Sequence, residues 1–169
     1  MPLQKTMREM VTSDGRTVFD HSVEKQVFLI FLRHFGCVFC RESLLDLSKK
    51  QEEFSKNEVR PIFVHMADYD TAETFFDQFN LQAPIHVSDI ECKYYAAFGL
   101  AKGRFNQLFG LKSLVRGIEI STKGIFPTLK EIGDGYQMPG IFIVKDGKVL
   151  QSYIHNHASD KPDYQSLIQ

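Results

Sequence analysis

The chain has 169 residues, 43% of them hydrophobic and 24% charged, and a formal net charge of -1. That length suits one domain, 1–169, with a sizeable core, and the charge balance gives no overall pull toward nucleic acid or an anionic membrane. No apolar run reaches the ~18 residues of a membrane span and the N-terminus lacks the apolar centre of a secretory signal, so a cytoplasmic protein is expected, its three cysteines too few for a disulfide framework.

Met10 to Thr12 and Thr17 to Phe19 flank Asp14-Gly15, a strong two-residue turn signal, and predict a short N-terminal hairpin. The six apolar residues Val27 to Leu32 read as a central strand buried on both faces. Arg33 to Gly36 then turns the chain. From Cys40 to about Phe54, Leu44, Leu47 and Phe54 fall at helical spacing, with Glu42, Asp46, Lys49, Lys50 and Glu52 on the solvent side. Arg60 to Met66 predicts a second inner strand with Pro61 at its start. Asp70 to Glu73 reads as a capping box before a helix whose core residues are Phe75, Phe76 and Phe79. Ile85 to Val87 forms a short strand, and Asp89 caps a helix carrying Tyr94, Tyr95 and Phe98 that stops at Gly99.

Residues 101–136 break the α/β alternation. The stretch is glycine-rich and carries the apolar run Phe105, Leu108, Phe109, Leu111, Leu114 and Val115. Its basic residues Lys102, Arg104, Lys112, Arg116, Lys123 and Lys130 face Glu119 alone up to residue 130. A structureless loop of that length is uncommon, so one or two short helices are expected as an insertion covering the core. Ile141 to Val144 and Lys148 to Ile154 make a closing hairpin around Lys145-Asp146-Gly147, and a short helix from Asp163 ends the chain.

Cys37-Val38-Phe39-Cys40 sits where the buried strand feeds a helix. A thiolate there meets unpaired backbone N–H groups and the positive end of the helix dipole. A C-x-x-C in such a chain is redox or metal chemistry. A structural zinc site needs further ligands, and His34, His65, Cys92, His155 and His157 are isolated or distant in sequence, which favours a redox pair and no bound metal. Arg33 and Arg41 flank the cysteines, where a guanidinium would favour a charged sulfur. His34 is a candidate base or a hydrogen-bonding turn residue. Arg116 is a candidate for binding an acidic substrate or part of a solvated face. Cys92 reads as a small buried residue, and His155 and His157 as caps of the tail. The glycine-rich 99–110 segment has no phosphate-binding loop, so no nucleotide or other bound cofactor is expected.

The C-x-x-C between strand and helix, the α/β centre and Met138-Pro139 before an antiparallel hairpin together resemble the thioredoxin fold, a mixed central sheet flanked by helices. The stretch Phe31 to Glu42, supported by Lys93 to Leu100 and Tyr153 to Tyr164, further resembles the peroxiredoxin-like branch of the AhpC/TSA superfamily, which includes the prostamide/prostaglandin F synthase-like proteins. The resemblance implies a cis bond at Pro139, with Met138 and Pro139 packed beside the first cysteine. It also implies a thiol-dependent oxidoreductase. Cys37, the more exposed of the pair, would attack a peroxide or a related O–O or S–S substrate, and Cys40 would resolve the product. Thioredoxin with its NADPH-dependent reductase, or another dithiol, would recycle the pair. Monomer and homodimer are both open. The chain departs from the Pro-x-x-x-Thr-x-x-Cys pattern of the main family: counted from Cys40 those places hold Arg33 and Cys37, counted from Cys37 they hold Ile30 and His34. The rival readings are a thioredoxin-like protein disulfide reductase and a non-catalytic thioredoxin-fold module that binds a partner or a metal.

Overall fold

Alternation along the strand Gln26–Phe31 (β1) organises the molecule. Phe28 and Ile30, with Leu32 beyond the strand end, point to one face, and Val27, Leu29 and Phe31 point to the other. Both faces are buried, so the strand needs cover on each side. The computed structural model describes residues 2–126 and 133–168, and of residues 105 and 106 the backbone alone.

β1 pairs in parallel with Val59–His65 (β2), which pairs in parallel with Ile85–Ser88 (β3). On its other side β1 meets Gly140–Lys145 (β4) antiparallel, and β4 meets Lys148–Ile154 (β5). The sheet order is β3-β2-β1-β4-β5. Asp146 and Gly147 take positive φ, 51° and 68°, as a tight hairpin turn requires. Pro61 sits at the third position of β2, opposite Phe28, and pairing with β3 begins only after it, at Ile62.

The Phe28 face packs under Val38–Ser48 (α3), Gln51–Lys56 (α4) and Tyr69–Gln78 (α5), with Leu44, Leu47, Phe54 and Phe76 in one cluster. The opposite face packs on the N-terminal helices Leu3–Glu9 (α1) and Val18–Glu24 (α2) and on Lys93–Ala97 (α6). Asp68, not Asp70, caps α5 by accepting from the Thr71 N–H. Asp89 accepts from the N–H groups of Lys93, Tyr94 and Tyr95, and Gly99 follows α6 with φ 75°.

The N-terminal hairpin is present but short. Gly15 turns the chain with φ 84°, Val11 bridges Thr17, and the N–H groups of Thr12 and Val18 donate to the carbonyls of Arg16 and Met10, but at Val18 the second arm already passes into α2. The reason is a reciprocal cap: Thr17 Oγ1 accepts from the Asp20 N–H while the Asp20 carboxylate accepts from the Thr17 N–H. That cap satisfies two helix-end donors at once and outweighs the strand signal.

Within 101–136 the described residues form Phe105–Phe109 (α7) and Leu111–Ser121 (α8), and Lys102 bridges Gln137. Lys130 lies outside the described residues. Tyr164–Ile168 (α9) closes the chain against Phe28, with Asp163 accepting from the N–H of Gln165. Among the described residues no helix is long and apolar enough to cross a membrane.

Candidate active site

β1 delivers the chain into the turn 33–36, and the Cys37 N–H closes that turn on the His34 carbonyl at 3.0 Å. α3 begins one residue later, which makes Cys37 its N-cap and puts Cys40 in its first turn. The turn is fixed from below by Tyr95, whose fully buried hydroxyl lies 2.6 Å from the Leu32 carbonyl and 3.0 Å from that of Val64.

Arg33 is buried and reaches back over the turn. Its Nη1 lies 3.0 Å from Cys37 Sγ, its Nε donates to the Gln137 carbonyl at 3.3 Å, and its Nη2 donates to the Gly135 carbonyl. A guanidinium has donors only, so the Cys37 sulfur is the acceptor. Cys40 differs. Its Sγ–H points at the Arg33 carbonyl, 3.8 Å away, and burial pushes its pKa well up, the charge of Cys37 adding to the effect. Both sulfurs are free thiols.

Exposure does not separate the two cysteines: Cys37 is 6% exposed and Cys40 5%. The expectation that Cys37 is the more exposed is corrected, because the insertion and Gly135 wall in Cys37 while Pro139 and the tail residues His155, Ala158 and Tyr164 lie over Cys40. Surroundings separate them instead. Cys37 lines a cavity of about 660 Å³ with Arg33, His34, Phe39, Leu108, Leu114 and Ile118. Cys40 lines a small pocket of about 30 Å³ with Pro139, His155 and Tyr164. Apart from Arg33, His34 and Ser113, the side chains around the larger cavity are mostly apolar.

Of the pair expected beside Cys37, Pro139 lines the small pocket at Cys40 and not the cavity at Cys37. Met138 clusters with Leu108, Ala158 and Phe39 and lies close over Gly103, where a Cβ would come 2.7 Å from the Met138 sulfur and make that flexible side chain shift. The cis bond expected at Pro139 is corrected: the described residues contain no cis peptide bond. The loop is oriented without one, by Met138 N–H on the Ala101 carbonyl and Gln137 Nε2 on the Leu100 carbonyl, and trans is the intrinsically favoured isomer.

Arg41 and Arg116 are not at the sulfur of Cys37. Arg41 lies over the Phe79 ring, 5.3 Å from its centre. Arg116 is engaged by Glu42 at 2.9 Å and Glu119 at 2.8 Å. Glu42, read from sequence as solvent-facing, is buried. Gln137 and Glu42 were missed as site residues; a polar side chain directly before Met-Pro was the one available signal. Burial lowers the pKa of His155 to about 4, against Asp160 and hydrogen bonds to the backbone at Pro139 and Asp160. Cys92 is half-buried and precedes α6 with φ 56°, its side chain making no cap hydrogen bond, and burial raises its pKa. Among the described residues no three His, Cys, Asp or Glu side chains are grouped as metal ligands.

The sheet order, the cysteines at the N-terminus of α3 and the loop before β4 define a thioredoxin-fold thiol protein of peroxiredoxin-like type. The chain belongs to the AhpC/TSA antioxidant enzyme family, whose model matches residues 46–157. That match begins after the cysteine pair and does not single out the prostamide/prostaglandin F synthase-like branch. The chain is 26% identical over 156 residues to the thioredoxin-like protein AAED1, chloroplastic, of Arabidopsis thaliana, covering 86% of this chain and 62% of that protein's length. Its fold is similar to that of a peroxiredoxin 6 mutant from Arenicola marina, with a TM-score of 0.64, 11% identity and coverage of 94% of this chain and 66% of that one. It is also similar to the bacterioferritin comigratory protein of Xanthomonas campestris, a structure described in connection with alkyl peroxide reduction. There the TM-score is 0.63 and the identity 16%, with coverage of 89% and 83%.

Proposed function

We propose that this chain is a thiol peroxidase in which Cys37 attacks and Cys40 resolves. Thiolate Cys37 attacks the distal oxygen of a peroxide ROOH: the S–O bond forms, the O–O bond breaks, and the alkoxide is displaced and leaves as ROH after taking up a proton, with Cys37 left as a sulfenic acid. The Cys40 thiol then attacks the resulting Cys37 sulfenic acid, releasing water and closing a Cys37–Cys40 disulfide. A thioredoxin-type dithiol supplies two electrons and two protons to reopen it. No bound cofactor takes part. A reducing compartment such as the cytoplasm suits three unpaired cysteines.

The observation that carries this reading is the Arg33 contact on a sulfur that lines an apolar cavity. The guanidinium is the counter-ion a thiolate needs, and it can pair with the leaving alkoxide as charge moves. Cys37 is buried at the wall of an apolar cavity of small-molecule size, which favours a small peroxide as its oxidant.

The test is peroxide consumption with a dithiol supplied, for the wild type, Cys37→Ser and Cys40→Ser. Cys37→Ser is expected to abolish turnover. Cys40→Ser is expected to react once and accumulate a sulfenic acid or a mixed disulfide with the reductant. Retained turnover in Cys37→Ser, or reduction of insulin disulfides in preference to any peroxide, would overturn the assignment.

A further inference from the structure

Helix α8 is fastened by charges more than by buried carbon. Of its residues only Ser113 and Ile120 are buried, while Leu111, Leu114, Val115 and Ile118 are exposed along one stripe. A helix ordinarily seats on a core through such a stripe, so other contacts must hold this one. They converge on Glu42, which lies in α3 two residues beyond Cys40. Its Oε2 accepts from Arg116 Nη2 at 2.9 Å, and Lys123 and Lys161 each bring an Nζ to 3.6 Å from its Oε1. Arg116 also holds Glu119 at 2.8 Å, and Lys161 holds Asp46 at 2.6 Å. At its other end α8 is tied to the tail by Lys112 on Asp160, 2.6 Å apart.

A carboxylate buried without cations is strongly disfavoured, so Glu42 and the position of α8 depend on each other. Leu114, Gly117 and Ile118 of that helix form one wall of the cavity at Cys37. We propose that Glu42 and Arg116 are positioning residues forming a latch that sets the width of the opening to Cys37 and so selects oxidants by size. The proposal rests on Cys37 being the attacking sulfur, yet the geometry it asserts can be read without turnover.

The experiment compares modification of Cys37 by iodoacetamide and by bulky pyrene maleimide, followed by peptide mass spectrometry. The proteins are the wild type, Arg116→Gln, Glu42→Gln, their double variant and Arg116→Lys. In each single variant the bulky reagent is expected to react about tenfold faster, iodoacetamide less than about twofold faster, and Cys40 not at all. The double variant should go no further than the singles, because both remove one shared interaction. Arg116→Lys keeps the cation and should return the size selectivity to within about twofold of the wild type. Should Glu42→Gln fail to fold, the two Arg116 variants carry the test. An equal gain for both reagents, or reaction of Cys40 alongside Cys37, would mean general loosening and overturn the latch, as would no change. Failure of the peroxidase reading would appear only as absent peroxide turnover and would leave the alkylation result intact.

Discussion

The guanidinium of Arg33 lies 3.0 Å from the sulfur of Cys37 while its remaining donors hold the backbone carbonyls of Gly135 and Gln137. One side chain thus presents positive charge to the sulfur proposed to react and pins the loop that leads to Pro139. Replacing it with Met removes both functions, whereas Lys keeps a charge but loses the fork. Hydrogen bonds to charged groups contribute ~1.5–3 kcal/mol, so Arg33→Met is expected to slow peroxide attack by about 10- to 100-fold. Arg33→Lys should fall between that variant and the wild type. Stopped-flow measurement of the single-turnover rate decides it, and equal rates for all three proteins would remove Arg33 from the mechanism.

Tyr95 supports the same turn from the other side of the sheet. Burial raises its pKa far enough that the phenol stays protonated, and its single proton is shared between the carbonyls of Leu32 and Val64. Tyr95→Phe keeps the ring contacts with Phe31 but leaves the Leu32 carbonyl, one residue before Arg33, without that donor. The expected cost is about 1–3 kcal/mol, or roughly 2–4 °C in Tm per kcal/mol at this chain length. Thermal unfolding of the reduced protein checks it; an unchanged Tm would mean that water replaces the phenol at no cost.

The strands were legible because burial on both faces writes an unbroken apolar run for β1 and a turn-bounded pair for β4 and β5. Asp89 was legible as a cap because three N–H groups need an acceptor just where the helix signal starts. The hairpin at 10–19 was legible at its turn but not in its extent, because a turn signal is local and says nothing of how its flanks continue; the Thr17–Asp20 reciprocal cap starts α2 inside the second arm. At the candidate site, the nearness of Arg33, Cys37 and Cys40 could be read from spacing because all three belong to one short turn and the helix start it feeds. Glu42 could not, since its burial arises from cations brought by α8 and by Lys161, more than a hundred residues along the chain. Arg116 was noticed as a charge, but its partner was invisible for the same reason.

Gly117 faces the cavity from the middle of α8, and a Cβ built there meets nothing within 4 Å. Its φ is not in the left-handed region, so a side chain is tolerated by the backbone. Gly117→Ala is expected to stabilise the protein by roughly 0.5–1 kcal/mol, the usual penalty of glycine inside a helix. Gly117→Leu should keep that gain yet fill the space beside Cys37. Its turnover of cumene hydroperoxide is expected to fall about tenfold while that of hydrogen peroxide changes less than about twofold, since only the larger substrate needs the volume. Parallel steady-state assays of the two oxidants test this, and equal losses would show that the cavity does not contain the substrate.

His65 and His86 form a buried pair whose protons are dictated by their neighbours. The Ala67 N–H lies 3.3 Å from His65 Nδ1, which places the ring proton on Nε2, 2.8 Å from His86 Nδ1; His86 Nε2 then faces the Glu73 carboxylate at 3.8 Å. Burial, and secondarily the neighbouring His86, holds the pKa of His65 down at about 3, and burial also lowers those of His86, His21 and His155, the last to about 4. In the unfolded chain each titrates near 6.5. Between these values the unfolded state binds protons that the folded state refuses, so stability is complete above about pH 6.5 and declines as pH falls toward the folded values. One histidine can supply a slope of at most ~1.36 kcal/mol per pH unit. With four acting together, urea unfolding at pH 7.0, 6.0 and 5.0 should show a steeper decline, before most carboxylates begin to titrate. His155→Gln should reduce that slope and leave the sign unchanged. A free energy of unfolding that stays level from pH 7 to pH 5 would show that these rings are protonated in the folded protein, or that their burial is relieved before they are.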